Sequence, residues 1–215
     1  AAVFLAGLPD VQNASLQLGV LNNIGNRGIP DTANVRFATS TSQLRFAPGD
    51  TDDAETVGAL ISDVSGAGQI RKITGSETTT LTVGANDASG TFSGVISNES
   101  GTIALVKDGT GTQTLSGNNT YSGDTVIQEG TVRLNASDVL PDATNVKLPT
   151  GGVLDMQGFT DTVNGFQLTG GRLEGTTQVA KLTSLTDFDL QNGRIQGPAL
   201  SGSVNVVKTT GGLVD

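Results

Sequence analysis

Asp187 and Asp189 stand two residues apart, with Thr186, Phe188 and Leu190 around them. On a strand that spacing puts both carboxylates on one face and the other three side chains on the opposite one. A polysaccharide-degrading β-helix would use such a pair as acid and base, or as oxygen ligands for a cation beside a basic residue. No Arg or Lys lies near them in sequence, and no aromatic shares their side to stack a sugar. The pair therefore reads as two solvated outward carboxylates, with a polysaccharide-active enzyme using Asp187, Asp189 or the acidic run from Asp50 to Glu55 kept as an alternative function. Asp50, Asp52, Asp53 and Glu55 form the densest acidic run. Lacking the twelve-residue spacing and central Gly of an EF-hand loop, that run reads as a protruding solvated loop whose binding of calcium stays open. Gly109-Thr110-Gly111 leads into a strand and has no Lys-Ser/Thr at the offset a phosphate cradle needs. Four Asn-x-Ser/Thr triplets, beginning at Asn13, Asn98, Asn118 and Asn135, are expected by chance in so Asn- and Thr-rich a chain, and read as turn or ladder asparagines.

The 215 residues include no Cys and no His. Thiolate nucleophiles, Ser-His-Asp triads, the usual zinc and haem ligands and any disulfide framework are thereby removed. No catalytic residue, cofactor or metal ligand is assigned. A net charge of −9 and a pI near 4.3 disfavour nucleic acid and anionic lipid, whose affinity comes from clustered Lys and Arg. The longest apolar stretch, Val3 to Leu8, is far short of the roughly 20 residues of a membrane-spanning helix, so no membrane insertion by this segment is expected. Ala1-Ala2-Val3 opens without a basic leader region, as a mature export product or excised fragment would.

Positioning any of these groups falls to short strands. Apolar residues alternate with polar ones in runs such as Ile103-Ala104-Leu105, Val132-Arg133-Leu134 and Val146-Lys147-Leu148. Ser116-Gly117-Asn118-Asn119, Pro141-Asp142 and Gly170-Gly171 punctuate them as tight turns. Frequent turns and short strands leave a sandwich, a barrel or a solenoid. Internal repetition favours the last. Ile29 to Phe37 matches Leu140 to Leu148 at a shift of 111, Leu44 matches Leu154 at 110, and Val57 and Leu60 match Val163 and Phe166 at 106. Ser100 to Lys107 likewise matches Ser201 to Lys208 at 101, and Phe92-Ser93-Gly94 echoes in Tyr121-Ser122-Gly123. Kept strands with drifting loops are what a coil of nearest-neighbour rungs tolerates.

The expectation is an all-β, right-handed parallel β-helix over residues 1–215, with repeat blocks at about 29–99 and 100–200 and partial repeats at 1–28 and 201–215. Inward positions take Val, Ile, Leu and an occasional Phe; outward positions take Thr, Ser, Asn and Gln. Thr is β-branched yet polar, and like charges stacked about 4.8 Å apart would repel, so a charged fraction of only 15% fits.

The stretch from Lys107-Asp108-Gly109-Thr110-Gly111 through Leu115-Ser116-Gly117-Asn118-Asn119-Thr120-Tyr121-Ser122-Gly123 to Gly130-Thr131-Val132-Arg133-Leu134 closely resembles the autotransporter-associated β-strand repeat, also called the passenger-associated transport repeat. Leu140 to Val146 and Leu154 to Phe159 continue its pattern. The resemblance implies a secreted β-helix of a bacterial autotransporter passenger that serves as stalk or scaffold and assists secretion, without itself implying catalysis. The expected location is extracellular or the bacterial cell surface.

Val3-Phe4-Leu5 and Leu8-Pro9-Asp10 at one end, and Val207 to Gly212 at the other, look like the interiors of repeats, with no polar cap. The expected partners are flanking β-helix repeats or copies of this chain, stacked head to tail into a filament or surface layer. Cell-surface or matrix glycans are a further expected partner.

Overall fold

In the computed structural model, residues 15–18, 20–22, 29, 31–46, 54–73, 75–175, 179–202 and 206–207 are described. Every pairing between described strands is parallel, and apart from one short 3-10 turn at Ala85–Asp87 all regular structure is strand. The fold is a parallel β-helix.

Each turn of the coil passes through three faces. The third face is the most regular. Its strands are Ala54–Val57, Thr78–Val83, Thr102–Lys107, Thr125–Ile127, Asn145–Leu148, the first part of Gly165–Glu174, the first part of Phe188–Gln196, and Val206–Val207. One inward column on it runs Glu55, Leu81, Leu105, Thr125, Val146, Phe166, Phe188, and its register continues to Val206. Those seven steps correspond to the roughly seven turns of the coil. Alternation with period two explains the packing: Ile103, Leu105 and Lys107 are buried while Ala104 and Val106 between them are not.

The first face carries Asn34–Phe37 and Leu60–Ser62, then Gly90–Phe92, Thr112–Leu115, Gly130–Leu134 and Gly152–Asp155. The second carries Gln43–Phe46, Gln69–Lys72 and Val95–Asn98, then Thr160–Val163, Lys181–Ser184 and Ala199–Ser201. Leu and Ile columns from all three faces meet in one continuous core with little aromatic volume. Phe37 and Phe92 pack at 5.1 Å, and Phe166 and Phe188 stack on successive rungs at 6.0 Å.

Three features depart from the sequence reading. Gly170-Gly171 is no tight turn between separate strands; the chain runs through it as the single strand Gly165–Glu174, whose register slips between Leu168 and Arg172 as it crosses from third to first face. Asn34–Phe37 and Asn145–Leu148, matched in sequence at a shift of 111, lie on the first and third faces, so they share a strand pattern and not a position in the turn. Like charges do stack among the described residues, at Arg45 and Arg71, at Arg172 and Arg194, and at Asp155 and Glu174; Glu99 pairs with Arg71, Gln43 accepts from Arg45 Nε at 2.6 Å, Arg133 pairs with Asp155 and Arg172 with Glu174.

Candidate functional site

The stretch from Leu105 to Leu134 spends its distinctive residues on holding one turn of the coil to the next. Lys107 continues the inward parity of Ile103 and Leu105 and is fully buried. Its ammonium donates to the carbonyls of Asp108 (2.7 Å), Gly109 (2.6 Å) and Glu129 (3.2 Å), carbonyls at the corner between third and first faces that lack ladder partners there. Burial pulls its pKa down, against the opposing pull of Asp108, Glu129 and Asp87. Asn119 accepts from the Ile96 N–H (2.8 Å) and donates to the carbonyls of Gly117 (3.0 Å) and Val139 (2.8 Å), binding three turns together. A buried chain of hydroxyls follows: Tyr121 to Thr125 (2.7 Å), Thr125 to Thr144 (2.9 Å), and Thr144 to the Gly123 carbonyl (2.7 Å). Full burial drives the Tyr121 phenol above its ordinary range, so it stays protonated as donor.

On the second face these side chains do the work of a missing ladder. Between Val95–Asn98 and Thr160–Val163 two successive turns have no strand there, only the isolated bridge of Ser97 with Thr120. Asn119 covers one gap. Asp161 covers the other: its Oδ2 accepts from the N–H groups of Val139 (3.0 Å) and Leu140 (3.1 Å), while Oδ1 has no partner. Desolvation pushes this carboxyl up to about 7, over the lowering effect of the Leu140 and Val139 N–H groups. Outside the two looped turns lies a recess of about 590 Å³, rimmed by Asn118, Thr120, Asp138, Asp142 and Thr162, with Leu140 and Pro141 in its wall.

Asp187 and Asp189 do share an outward face, as their spacing implies. They border a shallower depression of about 200 Å³ over Gly165, beside Asn145, Lys147 and Gln167. Lys147, two turns away, is the basic residue that sequence proximity did not supply, but its Nζ is 2.5 Å from Asp124 Oδ2. Burial opposes ionisation of Asp124, yet the Lys147 and Asn145 hydrogen bonds outweigh it and hold the carboxyl low. Asp189 accepts from Gln167 Nε2 at 2.8 Å and Gln191 Nε2 at 3.0 Å. Of the acidic run, Asp50, Asp52 and Asp53 lie outside the described residues. Glu55 corrects the solvated-loop reading: it is an inward strand residue, 7% exposed, accepting from the Ile29 N–H at 2.6 Å. Its alternation with Val57 carried that signal. Among the described residues no group of three or more acidic side chains is placed to hold a metal.

The inward polar residues were legible only as parity. Lys72 follows Ile70, Lys107 follows Leu105, Gln113 precedes Leu115 and Asp161 precedes Val163, each on a buried series.

Comparison with known proteins converges on the same stretch. Residues 105–134 match the passenger-associated transport repeat, so the chain carries this autotransporter passenger repeat. Over 123 residues it is 33% identical to the adhesin BmaC autotransporter of Brucella suis biovar 1 (strain 1330); the match takes in 57% of this chain and 4% of that protein. The chain thus spans a small fraction of the relative's length. No solved structure matches it significantly.

Proposed function

We propose that this chain is a non-enzymatic segment of a passenger exported to the bacterial surface, where it acts as stalk and adhesive scaffold. One observation carries the reading: within the matched repeat, Lys107, Asn119, Tyr121 and Thr125 all point inward and bind turn to turn, leaving the repeat to build a rod and present its outer faces. The similarity to an autotransporter adhesin supports an adhesive role for those faces. Flanking repeats or further copies would continue the parallel ladder at either edge. The test is to tag this segment in its parent protein and delete residues 105–134. Loss of surface labelling on intact cells, with the protein still synthesised, is expected; unchanged display would overturn the reading.

The enzymatic alternative draws on Asp187, Asp189 and Lys147 meeting at one depression. Turnover of neutral or acidic glycans that disappears in Asp187→Asn would establish it, and absence of turnover across such a panel would remove it.

A further inference from the structure

We infer that the recess on the second face is a binding site for a neutral oligosaccharide. The inference deepens the adhesive reading and rests on it for its biological setting. Three observations carry it.

First, among the described residues the coil gives up strands on the second face alone. Every other turn described on this face contributes a strand, whereas the segments around Thr120 and Val139 are loops that keep only scattered backbone bonds (Thr120 N–H to the Ile96 carbonyl, Asn119 N–H to the Val139 carbonyl, Asp138 N–H to the Thr160 carbonyl), supplemented by the side chains of Asn119 and Asp161. Giving up the continuous ladder in two adjacent turns leaves a concavity that an uninterrupted β-helix face lacks. At about 590 Å³ it falls in the range of small-molecule sites.

Second, Asn118, Thr120, Asp138, Asp142 and Thr162 all line it, and none has a side-chain hydrogen bond or ion pair with another described residue. Several outward carboxylates elsewhere are paired, as Asp155 is with Arg133 at 2.9 Å, Asp124 with Lys147 and Glu174 with Arg172, while Asp31, Asp108, Glu129 and Asp187 are unpaired like Asp138 and Asp142. What sets the recess apart is that five unpaired polar side chains converge on one concavity. Two carboxylates, an amide and two hydroxyls offer acceptors and donors at several angles, the complement of a sugar's hydroxyl array; the lining's one aromatic ring, Tyr121, is fully buried, so recognition here rests on hydrogen bonds rather than stacking.

Third, the lining selects among ligands. No Lys or Arg lines the recess, so uronates, sialates and phosphates are repelled by Asp138 and Asp142. Leu140 and Pro141 are buried, leaving too little apolar surface for an apolar peptide or an acyl chain. No metal-binding acidic group is present among the described residues. The walls are also pre-organised: Val139 and Leu140 are pinned by Asp161, and Asn119 is pinned on both sides, so little ordering cost falls on binding.

The test uses the full 215-residue chain with EDTA present and five probes: maltohexaose, cellohexaose, mannohexaose, chitohexaose and hexagalacturonate. Saturation-transfer NMR and calorimetry should show at least one of the four neutral hexamers binding with a Kd of roughly 0.1–5 mM, and no binding of hexagalacturonate. Asp142→Ala with Thr162→Val should weaken that binding at least tenfold with an unchanged circular dichroism spectrum, because both side chains are unpaired. Failure of all four neutral probes at 10 mM, equal binding of hexagalacturonate, or binding unaffected by the double substitution would each overturn the inference. Surface display of the parent protein carrying the double substitution should stay intact, which separates failure of this site from failure of the export reading.

Discussion

The side-chain amide of Gln113 forms a reciprocal pair with the backbone of Leu60, 53 residues earlier: Leu60 N–H donates to Oε1 and Nε2 donates to the Leu60 carbonyl, each at 3.0 Å. Gly90 is the register partner of Gln113 on the intervening turn, and its missing side chain leaves the amide room to pass. The first-face ladder breaks between Leu60–Ser62 and Gly90–Phe92, and Gln113 imitates the missing strand residue across the gap. Below Gln113 the same column continues as Val132, Leu154, Leu173 and Ile195.

Gln113→Leu should therefore cost more than a surface change. It suits the apolar column but strands a buried N–H and C=O, at roughly 1–3 kcal/mol each. Chemical denaturation should show a lowered midpoint, and hydrogen exchange should show faster exchange of the Leu60 amide in particular. Unchanged exchange there would show that the pair contributes nothing.

Lys107→Met keeps the length and removes the ammonium. The carbonyls of Asp108, Gly109 and Glu129 lose their common donor inside the coil. Relief of the lysine's own desolvation offsets part of the loss, so a destabilisation of about 2–4 kcal/mol is expected. Nearest-neighbour coupling should confine the effect to the turns on either side, which residue-resolved hydrogen exchange will read.

Asp161 makes stability depend on pH in an unusual direction for a carboxylate. Its folded pKa, near 7, lies above the 3.8 of an ordinary Asp. Between those values the folded chain holds a proton that the unfolded chain has released, so stability falls as pH rises from about 4 to about 7 and then levels off. The cost amounts to a few kcal/mol by the conversion of about 1.4 kcal/mol per pKa unit. Asp161→Asn should flatten this slope and raise the melting temperature at pH 8 relative to the parent. A melting temperature that climbs steadily from pH 4 to 7 in the parent would contradict the assignment.

Gly117 stacks on Gly94 of the preceding turn at the corner between first and second faces, and an added Cβ would collide with the Gly94 carbonyl oxygen. Backbone atoms at a stacked corner cannot step aside as a side-chain tip can. Gly117→Ala should destabilise by roughly 3 kcal/mol, measured by thermal melting, whereas Gly66→Ala, in open space but at φ 74, should cost less, through backbone strain alone.

Much of the coil was readable as period-two alternation. Ile103-Ala104-Leu105, Val132-Arg133-Leu134 and Val146-Lys147-Leu148 all fall within strands whose burial follows that parity. Parity also implied Lys107, Gln113, Glu55 and Asp161 as inward residues, but composition argued against it, since an inward charge is costly until its partner is known. Those partners lie 21 or more residues away for Gln113, Glu55 and Asp161. The shallow depression at Asp187 and Asp189 was half legible: their shared face follows from spacing, while Lys147 and Gln167 arrive from earlier turns. Nothing local marked the recess of the second face, because Asn118, Asp138 and Thr162 come from three turns.

The sequence by itself determined the class: short alternating strands, Gly and Asn at corners, scarce aromatics, and a passenger repeat at Leu105 to Leu134. Those are local properties, fixed by which side of a strand each residue occupies and which backbone angles each corner admits. Only the tertiary structure decided the number of faces, the phase of each strand within a turn, and which polar side chains substitute for absent ladder bonds. The physical reason is that the chain advances between register-paired strands by as few as 18 and as many as 26 residues. A variable stride erases any fixed period from the sequence, so which residues stack is set by hydrogen bonding between turns rather than by spacing along the chain.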